Sequence, residues 1–185
     1  MTYYGGKELA AAFRTVRGNT IKIAEEIPES QYDFSPAPEC RTIARTLAHI
    51  GITTGLQHHI HSNKIADLGT FNFMEVFQGY AAEEAKPRTK AELIAFLKTE
   101  GDKFAAFLES LPESFLGETV QMSPNAPGPA TKTRFEMLLG PKEHEMHHRA
   151  QLMTIQRMIG QVPHLTRQMQ ERFAQMQAQT AQAAR

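Results

Sequence analysis

Cysteine is almost missing from this chain: Cys40 stands alone in 185 residues, so no internal disulfide can form. Net charge is missing as well, since twenty Lys and Arg balance twenty Asp and Glu. No dense basic run is available to hold a phosphate backbone, and nucleic acid is not an expected partner. Long apolar runs are also lacking. Nothing approaches the roughly 18–20 residues that cross a bilayer, so no membrane partner is expected. The opening MTYYGGKELAAAF has no apolar core of the signal-peptide kind, which together with the lone cysteine points to a cytoplasmic protein. No internal repeat is visible.

What is present is ordinary globular composition, 41% apolar and 22% charged, long enough for one domain with a full core. Between Lys7 and Ile27 the residues Leu9, Phe13, Val16, Ile23 and Ile27 recur at mostly helical spacing, and Pro28 closes the segment. PESQYDFSPAPEC then reads as an ordered connection. A second helix is predicted from about Thr42 to Asn63, apolar on two sides through Ile43, Leu47, Ile50 and Ile52, Leu56, Ile60. A helix with two apolar stripes is buried between neighbours. Residues 64 to 88 read as a long connection with a turn or two of helix. Thr89 and Glu92 form a capping-box pattern that opens a third helix, with Ile94, Leu97, Phe104, Phe107, Leu108 and Leu111 inward and Gly101 a weak point. GETVQMSPNAPGPATKT has turn chemistry throughout and reads as a long loop.

Thr133 and Glu136 repeat the capping-box pattern before a fourth helix, whose inward face includes Met137, His144, His148, Leu152, Ile155 and Ile159. Pro141 should kink it or mark its true start, and Gly160 and Pro163 end it. Leu165, Met169, Phe173 and Met176 stripe a further helix, on its own bundle or on a second subunit, whose tail AQTAQAAR should fray. The expected fold is all-α: a four-helix bundle over residues 1–163, followed by an extra C-terminal helix over 164–185.

The chemistry centres on KEHEMHHRAQL, where His144 and His148 stand four apart on one helix face and can share a cation. Glu145 makes the same residues an H-E-x-x-H pattern, in which a zinc peptidase uses the glutamate as general base. That reading needs a third ligand such as Glu171. Thr154 stands where the longer metzincin pattern needs histidine. A bundle instead builds a metal site from facing helices, and His49, on an apolar stripe of the second helix, is the candidate third ligand. Three neutral imidazoles would leave a coordination position open for chemistry. A packed core imidazole is the plain alternative for His49. His58, His59 and His61 lie at the helix end, where solvation or the helix dipole accounts for them. Glu145, adjacent to the clamp, is a candidate to orient a ligand or act as a base, but one residue past a ligand it points about 100° away, which suits a supporting or surface role equally well. Cys40 lies about 13 Å along a helix from His49, too far for the same metal.

Two stretches, FSPAPECRTIARTLAHI and HEMHHRAQLMTIQRMIGQVP, resemble the DinB/YfiT-like metalloenzymes, the DinB superfamily. The latter stretch is similar to that family's H-x-x-x-H-R-G-Q segment, with Ala150 in place of the usual glycine. The resemblance implies a four-helix bundle, often a homodimer, with a divalent ion such as zinc or nickel on His49, His144 and His148, and with His147 outside the ligand set. It also implies a transferase, isomerase or hydrolase acting on a small molecule, with a low-molecular-weight thiol as a cosubstrate. A non-catalytic metal- or ligand-binding bundle is the alternative.

Overall fold

A computed structural model describes residues 4–183. Four long helices form the body: α1 (Gly6–Glu26), α2 (Ile43–Ser62), α4 (Lys90–Ser110) and α6 (Arg134–Met158). Their apolar stripes explain the arrangement, because α1 and α2 each pack on both α4 and α6. Gly6 lies against the carbonyls of Leu108 and Leu111, while Lys90 reaches the carbonyls of Glu25 and Ile27, so α1 and α4 are antiparallel. Gly51 touches Phe96 and His58 touches Phe107, so α2 and α4 run the same way. His49 meets His144 while His61 meets Arg134, so α2 and α6 are antiparallel. The expected all-α four-helix bundle is present.

The core is built from the residues that the stripes select. Ile23, Ile27, Ile43, Leu47, Ile50, Leu97 and Leu152 close one end, and Leu9, Phe13, Phe104, Leu108 and Leu138 the other. Thr89 and Thr133 cap α4 and α6 through the capping boxes read from sequence. α6 runs unbroken through Pro141, which is buried. Its missing N–H leaves one carbonyl a turn earlier without its helical donor, and the flanking turns carry the helix. Gly160 adopts φ of +81°, the left-handed conformation that ends the helix without steric cost.

Three expectations are corrected. Residues 64 to 88 hold a three-turn helix, α3 (Phe73–Glu84), capped by Asn72, whose side chain accepts from the Glu75 backbone N–H. Its Phe73, Val76, Phe77 and Tyr80 do recur at helical spacing, but the stripe is short and only half-buried, and Glu84 is its one fully buried residue. A short helix, α5 (Glu113–Leu116), precedes the predicted long loop, and the loop itself holds a two-stranded ribbon, β1 (Thr119–Gln121) with β2 (Thr131–Thr133), in register Val120 to Lys132. Threonine and valine favour the extended backbone, and Val120 fills a small core with Ile60, Leu68 and Met137. Gly101 is not a weak point of α4: a Cβ there would lie 2.8 Å from Cγ of Arg17, so glycine gives that side chain its passage through the core.

The last helix, α7 (His164–Ala183), follows Pro163. Its first turn is anchored by His164, buried against Asn19, and by Arg167 on Glu26. Met169, Phe173 and Met176 are each about half exposed, at 52%, 53% and 52%. The tail that was expected to fray is helical through Ala183, in keeping with its alanine and glutamine content; Ala184 and Arg185 lie outside the described residues. No described helix is long and apolar enough to cross a membrane.

Candidate metal centre

The antiparallel pairing of α2 and α6 brings His49 to face His144 and His148. Nε2 of His144 lies 3.2 Å from Nε2 of His49 and 3.1 Å from Nε2 of His148. One ligand atom from each of the three residues falls within 4.8 Å of the others. Two nitrogens bound at ~2.0–2.1 Å to a tetrahedral ion stand roughly 3.3–3.4 Å apart. The cluster therefore has nearly the ligand spacing of a metal site.

Proton placement supports the same fit. Nδ1 of His49 is 3.2 Å from the Glu84 carboxylate, which can only accept. Nδ1 of His148 is 2.8 Å from Oε1 of Gln151. Both rings therefore carry their proton on Nδ1, facing outward, and turn the Nε2 lone pair inward. His144 Nδ1 has a longer contact of 3.4 Å to the Thr53 hydroxyl, which accepts from it in the same tautomer. Outward N–H bonds of this kind orient metal-binding imidazoles and raise their basicity. Burial, and then the nearby cations and imidazoles, push His49 and His144 down to about 4 and lower His148 too. Neutral rings are what a cation requires.

Glu84 was not visible as a site residue. It is buried at the end of α3, and its second oxygen takes Arg41 at 2.9 Å and Arg45 at 3.1 Å. The signal for it was faint: Glu84 continues the helical face of Phe73, Phe77 and Tyr80, a charged residue at the end of a short aromatic stripe. Thr53 and Gln151 carried a fainter signal: each lies three or four residues beyond a histidine, on the same helix face.

The remaining candidates separate. Glu145 is buried on a neighbouring face of α6, about 100° round from His144, where both its oxygens bond Nε of Arg17, at 2.9 and 3.1 Å. The same guanidinium reaches the carbonyls of Leu97 and Ile50. Glu145 is thus neither a surface group nor a base aimed at the cluster. Glu171 is exposed on α7, and Cys40 and His147 are exposed. His58 packs on Phe107, while His61 is buried and bonded on both nitrogens, which corrects its assignment to the solvated helix end.

His49 and His144 open onto a pocket of ≈450 Å³ that Thr53 and Arg41 also line, with Leu56, Phe77 and Tyr80 as its apolar part. Small-molecule sites have this character: mostly apolar, with a few placed polar groups.

The sequence matches the family model of the DinB superfamily over residues 12–152. No curated protein matches it. Among solved structures, YfiT from Bacillus subtilis superposes with a TM-score of 0.66 at 13% identity, over 87% of this chain and 91% of YfiT. It is described as a probable metal-dependent hydrolase with an unusual four-helix bundle topology. A DinB-like protein of the same organism gives 0.61 at 22% identity, over 84% and 94%. A mycothiol-dependent maleylpyruvate isomerase gives 0.61 at 13%, over 82% of this chain and 63% of that enzyme. At these identities the likeness is one of fold.

Proposed function

The chain belongs to the DinB superfamily, and we propose that it is a metal-dependent enzyme whose ion is held by His49, His144 and His148. The observation that carries this reading is the convergence of three Nε2 atoms, two of them on residues that line the pocket, while two of the Nδ1 protons are committed to outer acceptors. Imidazole donors suit zinc or nickel. A bound ion of this kind lowers the pKa of water or of a thiol and so supplies a nucleophile near neutral pH.

The chain's own residues do the rest. Glu84, Gln151 and Thr53 fix the rings, and the wall of Leu56, Phe77 and Tyr80 excludes water from the apolar part of a small substrate. The reaction is a transfer or a hydrolysis, with a low-molecular-weight thiol as the attacking group in the first case. The likenesses to a probable metal-dependent hydrolase and to a mycothiol-dependent isomerase, which are likenesses of fold, support keeping both branches.

Protein prepared without a histidine tag and dialysed against a weak chelator should carry about one divalent ion per chain. Protein that arrives metal-free and takes up neither zinc nor nickel contradicts the proposal. Loaded protein is then screened with small thiols and electrophilic acceptors, where the product identifies the branch and an absence of turnover leaves a binding module.

A further inference from the structure

Beside the cluster, the pocket wall includes one polar side chain whose orientation is dictated from the core. Arg134 is 1% exposed, and its Nη1 lies 3.2 Å from Nδ1 of His61, also 1% exposed. A guanidinium can only donate, so Nδ1 of His61 must be the accepting nitrogen and the ring proton sits on Nε2. That proton is directed at Oε1 of Gln57, 3.0 Å from Nε2. The carbonyl end of the Gln57 amide is thereby taken, and its NH2 end has no partner among the described residues. Gln57 lines the pocket, and the half of its amide left for a ligand is the donor half. Burial, and then Arg134, push His61 down to about 4, which keeps it in the neutral form this relay needs.

His49, Thr53 and Gln57 follow one another at four-residue intervals on α2, which places Gln57 roughly 12 Å along the axis from His49. Leu56, Phe77 and Tyr80 line the same pocket as these residues. We propose that Gln57 is a specificity-determining residue: it donates to a carboxylate or carbonyl oxygen on the far end of an elongated, apolar-bodied substrate whose reactive end lies at His49 and His144. This rests on the metal reading above. Arg134 and His61 are positioning residues that set which end of the Gln57 amide meets the ligand.

The test uses cobalt(II)-loaded full-length protein and two probes, 6-mercaptohexanoate and 6-aminohexanethiol, each binding as the thiolate after its proton passes to solvent. Binding is followed by thiolate-to-cobalt absorption. Wild type should bind the carboxylate probe about tenfold more tightly than the amine, the scale of a hydrogen bond to a charged group. The preference should collapse in Gln57→Leu. It should reverse in Gln57→Glu, which keeps the acceptor for His61 but replaces the donor with a negative charge. Cobalt affinity should stay unchanged in both variants, as a merely structural role for Gln57 would not require. A preference that survives Gln57→Leu overturns the proposal, as does equal binding of the two probes by wild type. Failure to take up cobalt defeats the metal reading and the two-ended substrate with it. Nitrogen-15 NMR of His61 in metal-free protein judges the donor separately: the Nε2–H tautomer is expected, and the Nδ1–H tautomer or an imidazolium overturns it.

Discussion

Glu145 and His144 are neighbours in sequence with opposite fates, because one residue of helix turns a side chain by about 100°. His144 faces the pocket, while Glu145 closes a buried ion pair with Arg17. Removing one partner of such a pair strands a charge in the core at a cost of roughly 3–5 kcal/mol, whereas replacing both by apolar groups is close to neutral. Glu145→Ala should therefore be strongly destabilised, and the double substitution Arg17→Met with Glu145→Leu should recover most of the loss by chemical denaturation while keeping zinc affinity. Loss of zinc affinity in the refolded double variant would return Glu145 to the metal. The spacing of His144 and His148 made the clamp legible, but i,i+4 geometry cannot say what the intervening side chains meet, so Arg17 stayed hidden.

His61 supplies a pH prediction at the same scale. Its pKa is about 4 in the folded chain, lowered by burial and then by Arg134, against an ordinary 6.5. The unfolded chain thus takes up a proton that the folded chain refuses. The stability tied to neutral His61 is complete above pH ~6.5 and drains away as the pH falls toward 4. The urea midpoint of metal-free protein should be lower at pH 5 than at pH 7, and equal midpoints would count against a buried neutral His61.

Among elements, the four long helices were legible because each carries its own start signal or apolar stripe. Thr89 with Glu92 and Thr133 with Glu136 locate two of those starts. α3 was under-read: Phe73, Val76, Phe77 and Tyr80 keep helical spacing for only two turns, too short a stripe to stand out beside the long helices, and three-residue strands are too short to show alternation. Yet α3 supplies the carboxylate behind His49. Glu84→Gln should leave the fold intact, because its partners Arg41 and Arg45 are 42% and 56% exposed and can turn to solvent. It should weaken zinc binding by about 10–100-fold, the usual cost of losing an outer partner of a metal-binding histidine. Unaltered zinc affinity in a titration would make Glu84 a tether for α3 only.

At the scale of the whole molecule, α7 is the element left unexplained by the bundle. Its first turn is anchored, but Met169, Phe173 and Met176 face outward along the rest of its length. We propose that this stripe meets a second copy in a homodimer. Light scattering should give twice the chain mass for the full chain and a smaller mass for a chain ending at Pro163. A monomeric full-length protein rejects the dimer, and a dimer that survives truncation moves its seam to the bundle. The stripe was plain in the sequence; what covers it is a property of assembly, which spacing within one chain does not encode.

The pairing of α2 with α6 carries the whole account, and zinc titration calorimetry on chelator-stripped wild type, His49→Ala and Glu171→Ala tests it most directly. His49→Ala should lose more affinity than the ~10–100-fold that removal of a supporting residue costs, while Glu171→Ala should titrate like wild type, with about one ion per chain. Near-wild-type binding by His49→Ala, or a large loss in Glu171→Ala, would contradict the three-histidine centre.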